Sequence, residues 1–334
     1  YAKSLTYGAT PSVSYPETLA NPNINPERST SFEAGFALSF LNNKVSAEAT
    51  YYNVGDEFQI QNLPTSAASA FNYKKSNVID YRTHGVEIML NINPIKRENF
   101  SWDFGVNWSR QIKKVENIEG AKKFGELKVG DRADSFYATV WQKSADGQVI
   151  LNPNTRMPIP DSYAKNIGHL EPNWRFGFQN RFNIHDVTVN LDIDGSIGGV
   201  INSITHEKMW WGGKHPSSTQ YREAEYSAGK YVYVPEGVIV TGGELKRDVD
   251  GNVISDTRQY EKNTQAVSWQ TWSQIYPYRA RVTEDENKFF ANVFDRSFVK
   301  LRRLSVGYDI NKFIKTDKVK AINASVFGYN LLMW

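Results

Sequence analysis

The chain has 334 residues, a formal net charge of +3 and no cysteine, and 13% of its residues are aromatic. The lack of cysteine excludes a disulfide framework and a thiolate metal site, and the small charge gives no basis for nucleic-acid binding. No run of ~18 apolar residues is present, which excludes a transmembrane helix but not spanning strands, because such strands are only half apolar. Tyr1 lies in an ordinary polar and aromatic segment without a signal peptide, so we expect the chain to be part of a longer polypeptide.

Prolines interrupt the first thirty positions, so irregular structure is predicted there. They are Pro11, Pro16, Pro22 and Pro26. Apolar and polar residues then alternate from Ser31, past a short turn at Asn42–Asn43, to Tyr52. Successive side chains of a strand point to opposite faces, so this pattern predicts a hairpin with one apolar face. Residues 54–76 are predicted to form a longer polar connection.

A second alternating pair covers residues 83–92 and 101–109, with a short turn at Pro94–Asn99 between its strands. Residues 112–172 follow as a long, charged insertion. Asp146-Gly147 is a tight-turn signal within it, so we expect the insertion to carry a small hairpin of its own.

The stretch from Asn173 to Val200 has the clearest pattern. Every second residue along its two strands belongs to one face, and this face is apolar except at Asn180. The strands meet at a tight break at His185–Asp186. The apolar set is Trp174, Phe176, Phe178, Phe182, Ile184, Val187, Val189, Leu191, Ile193 and Ile197. Each strand is close to the ~9–11 residues that cross a bilayer when tilted. A soluble sandwich gives the same alternation, so periodicity alone leaves both classes open.

Residues 201–296 form a still longer insertion, rich in Trp, Tyr and Gly. A last pair of strands follows. The first covers residues 303–310, a turn is predicted near Asn311–Lys318, and a final strand runs from about Val319 to Asn330.

The connections alternate between short and long along the whole chain. Outer-membrane barrels have short periplasmic turns and long extracellular loops, whereas a sandwich has no reason to sort its loops by end. We therefore predict an all-β, antiparallel up-and-down transmembrane barrel with about eight strands in this chain and long extracellular loops.

In this arrangement the polar faces meet the lumen. The charged candidates for lining it are Glu33, Glu48, Glu87, Asp103, Arg175, Arg181, Asp192 and Asp194. They either line a passage or contact a plug that fills the lumen. Asp192 and Asp194 suit solvation on one face better than a catalytic dyad, because no positioned base is identifiable.

The apolar faces meet lipid, and interfacial residues are expected at their ends. Trp102 is predicted in the periplasmic aromatic girdle, and Trp108 and Trp174 in the outer one. Lys300 and Arg302 are placed on the same face as Leu304 and Val306, at the outer end. They either snorkel to the interface or contact lipid phosphates of the outer leaflet.

Aromatic residues of the long insertion are candidates for substrate or partner contacts. They are Trp210, Trp211, Tyr231, Tyr233, Trp269, Trp272, Tyr276 and Tyr278. Aromatic faces stack on sugars and apolar groups, but they also pack loops together. Asp248–Asn252 resembles the start of a calcium loop, yet Gln259 occupies the position that requires Glu, so a hairpin turn at Asp250-Gly251 is the prediction. We expect neither a metal nor a cofactor.

Five segments, in consistent order, resemble motifs of the SusC/RagA family of TonB-dependent outer-membrane transporters. They are Asn21–Gly35, Asn77–Glu87 with Trp102–Ser109, His169–Trp174, Phe298–Tyr308 and Phe327–Trp334. The resemblance implies a large, plugged barrel of 22 strands. Residues 1–334 would be its C-terminal part, with the Ton box, the plug domain and the closing strand outside this sequence.

That resemblance implies an importer, not an enzyme, in the bacterial outer membrane. It takes up oligosaccharides or oligopeptides with a SusD-like surface lipoprotein, and TonB acts through the N-terminal region. Two other hypotheses remain. One is a SusC-like scaffold for other outer-membrane proteins without active transport, and the other is a soluble sandwich that binds carbohydrate.

Overall fold

The computed structural model describes residues 3–7, 10–14, 16–279, 292–310 and 322–334. The chain divides into two compact units. The first, here called the sheet unit, contains Tyr1–Asp134, Pro172–Ile197 and Ser297–Trp334. The second, here called the loop unit, contains Ser135–Glu171 and Gly198–Arg296, so it is built from two separate insertions.

The described part of the chain is mostly strand. In chain order the strands are β1 Lys3–Tyr7, β2 Thr10–Ser14, β3 Thr18–Leu19, β4 Arg28–Phe40, β5 Val45–Pro64, β6 Tyr73–Arg97, β7 Phe100–Ile118, β8 Lys123–Phe124, β9 Leu127–Lys128, β10 Ser135–Trp141, β11 Pro160–His169, β12 Trp174–Ile184, β13 Val187–Ile197, β14 Val200–Asn202, β15 Val238–Gly242, β16 Leu245–Arg247, β17 Val253–Asp256, β18 Gln259–Lys262, β19 Val293–Asp295, β20 Phe298–Asp309 and β21 Asn323–Met333. The α-helices are α1 Ile204–Trp211, α2 Arg222–Ala228 and α3 Trp269–Arg279, and short 3-10 turns lie at Ala67–Ser69 and Pro216–Thr219. Among the described helices, none has the length and apolar character needed to cross a membrane.

One long antiparallel path organises the sheet unit. Its order is β21-β20-β13-β12-β7-β6-β5-β4, and the short β3 pairs in parallel with β6. Strands that are consecutive in the path are joined by short turns or by the insertions, as an up-and-down sheet requires. The predicted hairpin within residues 173–200 is confirmed, since β12 and β13 pair from Trp174↔Ile197 to Ile184↔Val187.

Several predicted connections are in fact strand. The sequence prediction of a polar connection over 54–76 is wrong for most of its length, because β5 and β6 pair as far as Pro64↔Tyr73. The first thirty residues also contain the β1–β2 hairpin, with Pro11 opposite Thr6. The predicted turn at 311–318 and the start of the final strand lie outside the described residues.

The paired residues of neighbouring strands share a face, and the register carries the apolar face across the sheet. One row runs Phe36, Ala49, Ile88, Trp108 and Phe176. None of its members is buried although all are apolar: Phe36 is 55% and Ile88 42% accessible, and Ala49, Trp108 and Phe176 are half-buried. A contiguous exposed apolar face of this kind needs an apolar partner, and lipid satisfies that need.

Asn180 is the one polar residue on the apolar face of β12, and it has a partner there. The indole Nε1 of Trp102 donates a hydrogen bond to Asn180 Oδ1 over 3.2 Å. The ring of Trp102 also stacks on Phe182, with 5.7 Å between centroids and 17° between planes. The carboxamide is therefore partly satisfied without water, which lowers the cost of placing it on a lipid-facing surface.

The segment before β4 is held by one side chain of β6. Asn77 accepts from the backbone N–H of Asn25 over 2.8 Å and donates to the Asn25 carbonyl over 2.9 Å. Its amide also reaches the Phe58 carbonyl at 2.6 Å, where Phe58 has a positive φ of 61°. Asn77 thus fixes the approach of the proline-rich segment to β4.

The loop unit has an apolar core of its own. The buried residues are Val140, Trp141, Leu151, Val267, Trp269 and Trp272. The two predicted tight turns are confirmed: Lys143 pairs with Val149 around Asp146-Gly147, and β16 pairs with β17 around Asp250-Gly251. At the second turn Gly251 has a φ of 85°, and Asp248 accepts from the N–H groups of Asp250 and Asn252.

Gly85 offers a test of the sheet packing. A Cβ at Gly85 would lie 1.9 Å from Cζ of Tyr52, whose hydroxyl donates to Gln111 Oε1 over 3.3 Å. We expect Gly85→Ala to displace that ring and to lower the free energy of unfolding by about 1–3 kcal/mol, measured by thermal unfolding of the full-length protein in detergent.

Gly307→Ala is the matched control, because its Cβ would meet Ser325 Cβ at an ordinary 3.6 Å. Equal melting temperatures for the two variants would contradict the packing of Tyr52 over Gly85.

Candidate functional site

The polar face of the sheet carries all the charged residues that the sequence assigned to a lumen. The register places them opposite polar-face partners: Glu33 faces Tyr52, Glu48 faces Met89, Glu87 and Arg175 both face Ser109, Asp103 faces Arg181, Asp192 faces Gln179, and Asp194 faces Gly177. The structure therefore brings the eight residues onto one surface. That this surface lines a lumen remains a prediction.

Charges of opposite sign lie close together on this face. An open cavity of about 320 Å³ is lined by Glu48, Glu87 and Arg175 of the polar face, and Ile88, Trp108 and Phe176 of the apolar row also border it. A second cavity, of about 420 Å³, is lined by charged residues of four strands: Asp103, Arg181, Asp192 and Arg303. Charged groups placed in this way can form hydrogen bonds with polar solutes.

A β-bulge in β20 corrects the predicted position of Lys300 and Arg302. Asp192 pairs with Arg303 but Ile193 pairs with Leu301, so Arg302 is the extra residue. The one-residue shift moves Lys300 opposite Asp194 on the polar face. The prediction that Lys300 and Arg302 share a face with Leu304 is therefore wrong.

The bulge also lets two adjacent arginines reach the same face. Arg302 donates to both carboxylate oxygens of Asp194, from Nε over 2.9 Å and from Nη2 over 2.6 Å. Nε of Arg303 lies 2.8 Å from a carboxylate oxygen of Asp192. In a regular strand adjacent residues point to opposite faces, so Arg302 and Arg303 could not both reach acids on one face. Two acids on one face of β13, together with an Arg-Arg pair in the next predicted strand, are the sequence signal that could have indicated the bulge.

Two aromatic residues on the polar face were not predicted. Phe327 pairs with Ser305 and Tyr329 with Arg303, so their rings lie among polar side chains. The centroids are 5.5 Å apart, and the residues are 61% and 58% exposed. Alternation from Asn323 through Ser325 would have assigned them to this face.

The three predicted interfacial tryptophans lie on the apolar face. Trp108 pairs with Ile88 and Phe176, Trp174 with Ile197, and Trp102 with Phe182. Aromatic contacts connect them to neighbours, as between Trp174 and Phe176 at 5.5 Å. The faces agree with the sequence prediction, and contact with the membrane interface stays a prediction.

The loop aromatics separate into two groups. Trp269 and Trp272 are 6% and 4% exposed, and Tyr233 packs on both at 4.8 and 5.4 Å between centroids. These rings hold the loop unit together and are not available at its surface. Trp210 is half-buried and stacks on His215 at 4.3 Å. Of the two roles that the sequence left open, packing within the loop therefore applies to these four residues.

Trp211 and Tyr231 form the other group, with 55% and 59% of their surface accessible. The ammonium of Lys208 lies 5.3 Å from the Trp211 ring centroid. Tyr276 and Tyr278 belong to α3, but their side chains lie outside the described set. Of the described candidates, Trp211 and Tyr231 are those that present rings to a ligand or partner.

Electrostatic contacts stabilise the surface of the loop unit. Arg258 donates to both oxygens of Asp256, over 2.8 and 2.7 Å, and this lowers the pKa of Asp256 to about 2. Burial and the neighbouring His206 lower the pKa of His215. Asp256 is therefore ionised near neutral pH, and the surroundings of His215 favour the neutral form of its ring.

The comparison with protein families decides what this sheet belongs to. Residues 13–185 match the model of the outer membrane protein beta-barrel family. The chain belongs to this family. Its antiparallel sheet is accordingly part of a transmembrane β-barrel, and its location is the bacterial outer membrane.

Two curated relatives of this chain are TonB-dependent receptors. TonB-dependent receptor P3 of Formosa agariphila is 22% identical over 218 residues, which cover 56% of this chain and 22% of that protein. TonB-dependent receptor SusC of Bacteroides thetaiotaomicron is 24% identical over 151 residues, covering 40% of this chain and 15% of that protein. The chain spans less than a quarter of the length of either relative.

Solved structures agree on the fold. The RagAB peptide transporter superposes over 100% of this chain and 35% of its own, with a TM-score of 0.61 and 15% identity. The RagAB peptide importer in its open-open state gives the same TM-score at 14% identity. These findings confirm the SusC/RagA-like barrel portion that the motifs indicated.

The bulge in this barrel wall makes a specific prediction about residues 300 and 301. We expect a nitroxide label at Lys300→Cys to be relaxed mainly by a water-soluble agent, and one at Leu301→Cys mainly by oxygen dissolved in lipid. The measurement is relaxation of single labels on the full-length protein in bilayers, and this chain adds no cysteine of its own.

Gln179→Cys and Phe178→Cys provide the matched pair on the regular strand β12. If the label at 300 behaves like the one at 178, the bulge is contradicted, because a regular strand would place residue 300 with Leu304 on the lipid side.

Proposed function

We propose that this chain forms the C-terminal barrel wall of a SusC-like TonB-dependent importer that takes up oligosaccharides or oligopeptides. The observation that carries the proposal is the division of the sheet into an exposed apolar face and a face bearing opposed charges. The first face suits lipid, and the second suits a hydrated passage for polar solutes. A sheet packed in a soluble core would bury its apolar face instead.

The names of the relatives and neighbours support a transport role and differ in what they suggest about cargo. Two structural neighbours are described as peptide transporter and peptide importer. The curated relatives are named TonB-dependent receptors. Since this chain covers only part of each, the plug, the TonB contact and a SusD-like lipoprotein partner belong to the proposal.

In the proposed mechanism the chain does no covalent chemistry. Solute would bind first at surfaces of the long loops, where Trp211 and Tyr231 expose their rings. TonB would then act on the plug and open the lumen. The grooves that contain Glu87 and Arg175, and Asp103 and Arg181, would exchange hydrogen bonds with the passing solute.

A scaffold role is the second candidate, and one observation favours it. The loop unit has its own buried aromatic core, and it keeps apolar residues such as Trp211 exposed. A rigid unit with exposed rings suits a stable protein partner. In that case the barrel would organise other outer-membrane proteins without active transport.

The two roles differ in uptake. We expect cells that produce the full-length protein to accumulate labelled oligosaccharide or oligopeptide, and to stop doing so when the proton-motive force is collapsed, because TonB coupling requires it. The measurement is cell-associated label against a strain that lacks the gene. Uptake equal in the two strains, with the protein purifying in a stable multi-protein assembly, would replace the importer by the scaffold.

Exposed and buried tryptophans of the loop unit should have different effects. Trp211→Ala with Tyr231→Ala is expected to weaken uptake or partner capture roughly two- to tenfold, the size of lost aromatic contacts. Trp272→Ala removes a buried ring and should lower the free energy of unfolding of the loop unit by about 3–5 kcal/mol. The measurement is the loss of protease resistance in this unit.

Val249→Ala is the control for surface change, since Val249 is 90% exposed in the same unit. If the Trp211 and Tyr231 variant behaves like this control in both assays, these two rings are not the contact surface.

A further inference from the structure

Cations follow directly after the apolar stretch of β7, on the same face. Trp108 pairs with Ile88, Arg110 with Val86, and Lys114 with Arg82. Since paired residues share a face and the pairing is regular from Arg82 to Ile88, Arg110 and Lys114 point to the side that carries the lipid-facing residues.

The height of these cations follows from the neighbouring strand. The apolar face of β12 begins at Trp174 and ends at Ile184, and the strand has 11 residues. At a rise of ~3.3 Å per residue and a tilt of about 40°, that length spans about 25 Å, the height of the apolar band of an outer-membrane barrel. Arg175 pairs with Ser109, so Arg110 is level with Trp174 at one border of the band.

That border is the outer one in the predicted orientation. The described short turns, at residues 41–44, 98–99 and 185–186, join the opposite ends of these strands. The long insertions leave from the end that carries Arg110. Lys114 lies four residues further along, about 13 Å up the strand.

Among the described residues, Arg110 and Lys114 have no protein counter-ion. Both are exposed, and within the described residues neither side chain forms an ion pair or a hydrogen bond. The nearby carboxylate of Glu116 is already taken, because Arg82 Nε lies 2.9 Å from its Oε2. Two cations without a counter-ion at the edge of an apolar band attract anionic groups, because the apolar surroundings screen their charge less than water does.

The residues that the sequence suggested for lipid phosphates are elsewhere. Lys300 lies opposite Asp194, and Arg302 is ion-paired with the same carboxylate, both on the polar face. The bulge thus removes them from the lipid side and leaves Arg110 and Lys114 as cations at this border.

We propose that Arg110 and Lys114 bind the phosphate groups of a lipid in the outer leaflet. The guanidinium of Arg110 supplies two parallel N–H donors to one phosphate, and the ammonium of Lys114 acts as a point charge for a second. Their spacing suits a headgroup with two phosphates, while Trp108 and Trp174 flank its acyl chains. The proposal rests on the outer-membrane location and not on transport.

The test measures lipid binding by the full-length protein, delipidated in detergent, with native mass spectrometry. The probe is diphosphorylated lipid A, compared with the same lipid after removal of its phosphates. We expect Arg110→Gln with Lys114→Gln to weaken binding of the phosphorylated lipid roughly tenfold or more. Added salt should weaken binding of this lipid by the wild-type protein.

Lys44→Gln with Lys300→Gln removes the same charge from other places of the sheet unit and should leave the affinity unchanged. Equal affinity of the Arg110 and Lys114 variant and the wild type overturns the proposal. So does equal binding of the dephosphorylated lipid, or an equal loss in the control variant. If the double variant fails to fold, Arg110→Lys keeps the charge but loses the paired donors, and its affinity must then fall by a smaller factor.

Discussion

The backbone hydrogen bonds of the long antiparallel sheet are the constraint on which the rest of the molecule depends. In hydrocarbon no water can replace them, so each strand must pair along its length. Pairing fixes alternation, and alternation separates a face for lipid from a face for polar groups. The described strands follow this rule across eight members, from β4 to β21. Among the described residues β4 and β21 each pair on one side only, and a closed barrel must provide their remaining partners.

The same constraint explains why a single extra residue has large effects. At Arg302 the ladder skips one position, and the residues beyond it exchange faces. Lys300 thereby leaves the lipid side, and Arg302 and Arg303 both reach acids of β13. These pairs are exposed, so each contributes little to stability. Their consequence is positional, because they place fixed charges on the polar face at Asp192 in the middle of β13 and at Asp194 two residues further along.

The sheet could be predicted from the sequence because its information is periodic. Alternation identifies the strands, their faces and the eight polar-face charges. It also identifies Asn180 as the exception in β12, where its bond to Trp102 provides a partner. Prediction failed where periodicity carries no information. The bulge at Arg302 depends on a local shift, and the extension of β5 and β6 depends on polar pairing beyond the apolar band. For Trp269 and Trp272 the sequence left a contact role and a packing role open, and the tertiary contacts show the packing role.

The loop unit adds a second kind of order that lipid does not impose. Its strands are short and its helices brief, so local hydrogen bonding alone would leave it mobile. The buried tryptophans and the Tyr233 ring compensate by packing several segments into one core. A loop that is already ordered loses little conformational entropy when it binds. Under the proposed function, the buried aromatic residues serve recognition indirectly, because they hold the segments that carry Trp211 and Tyr231 in one ordered unit.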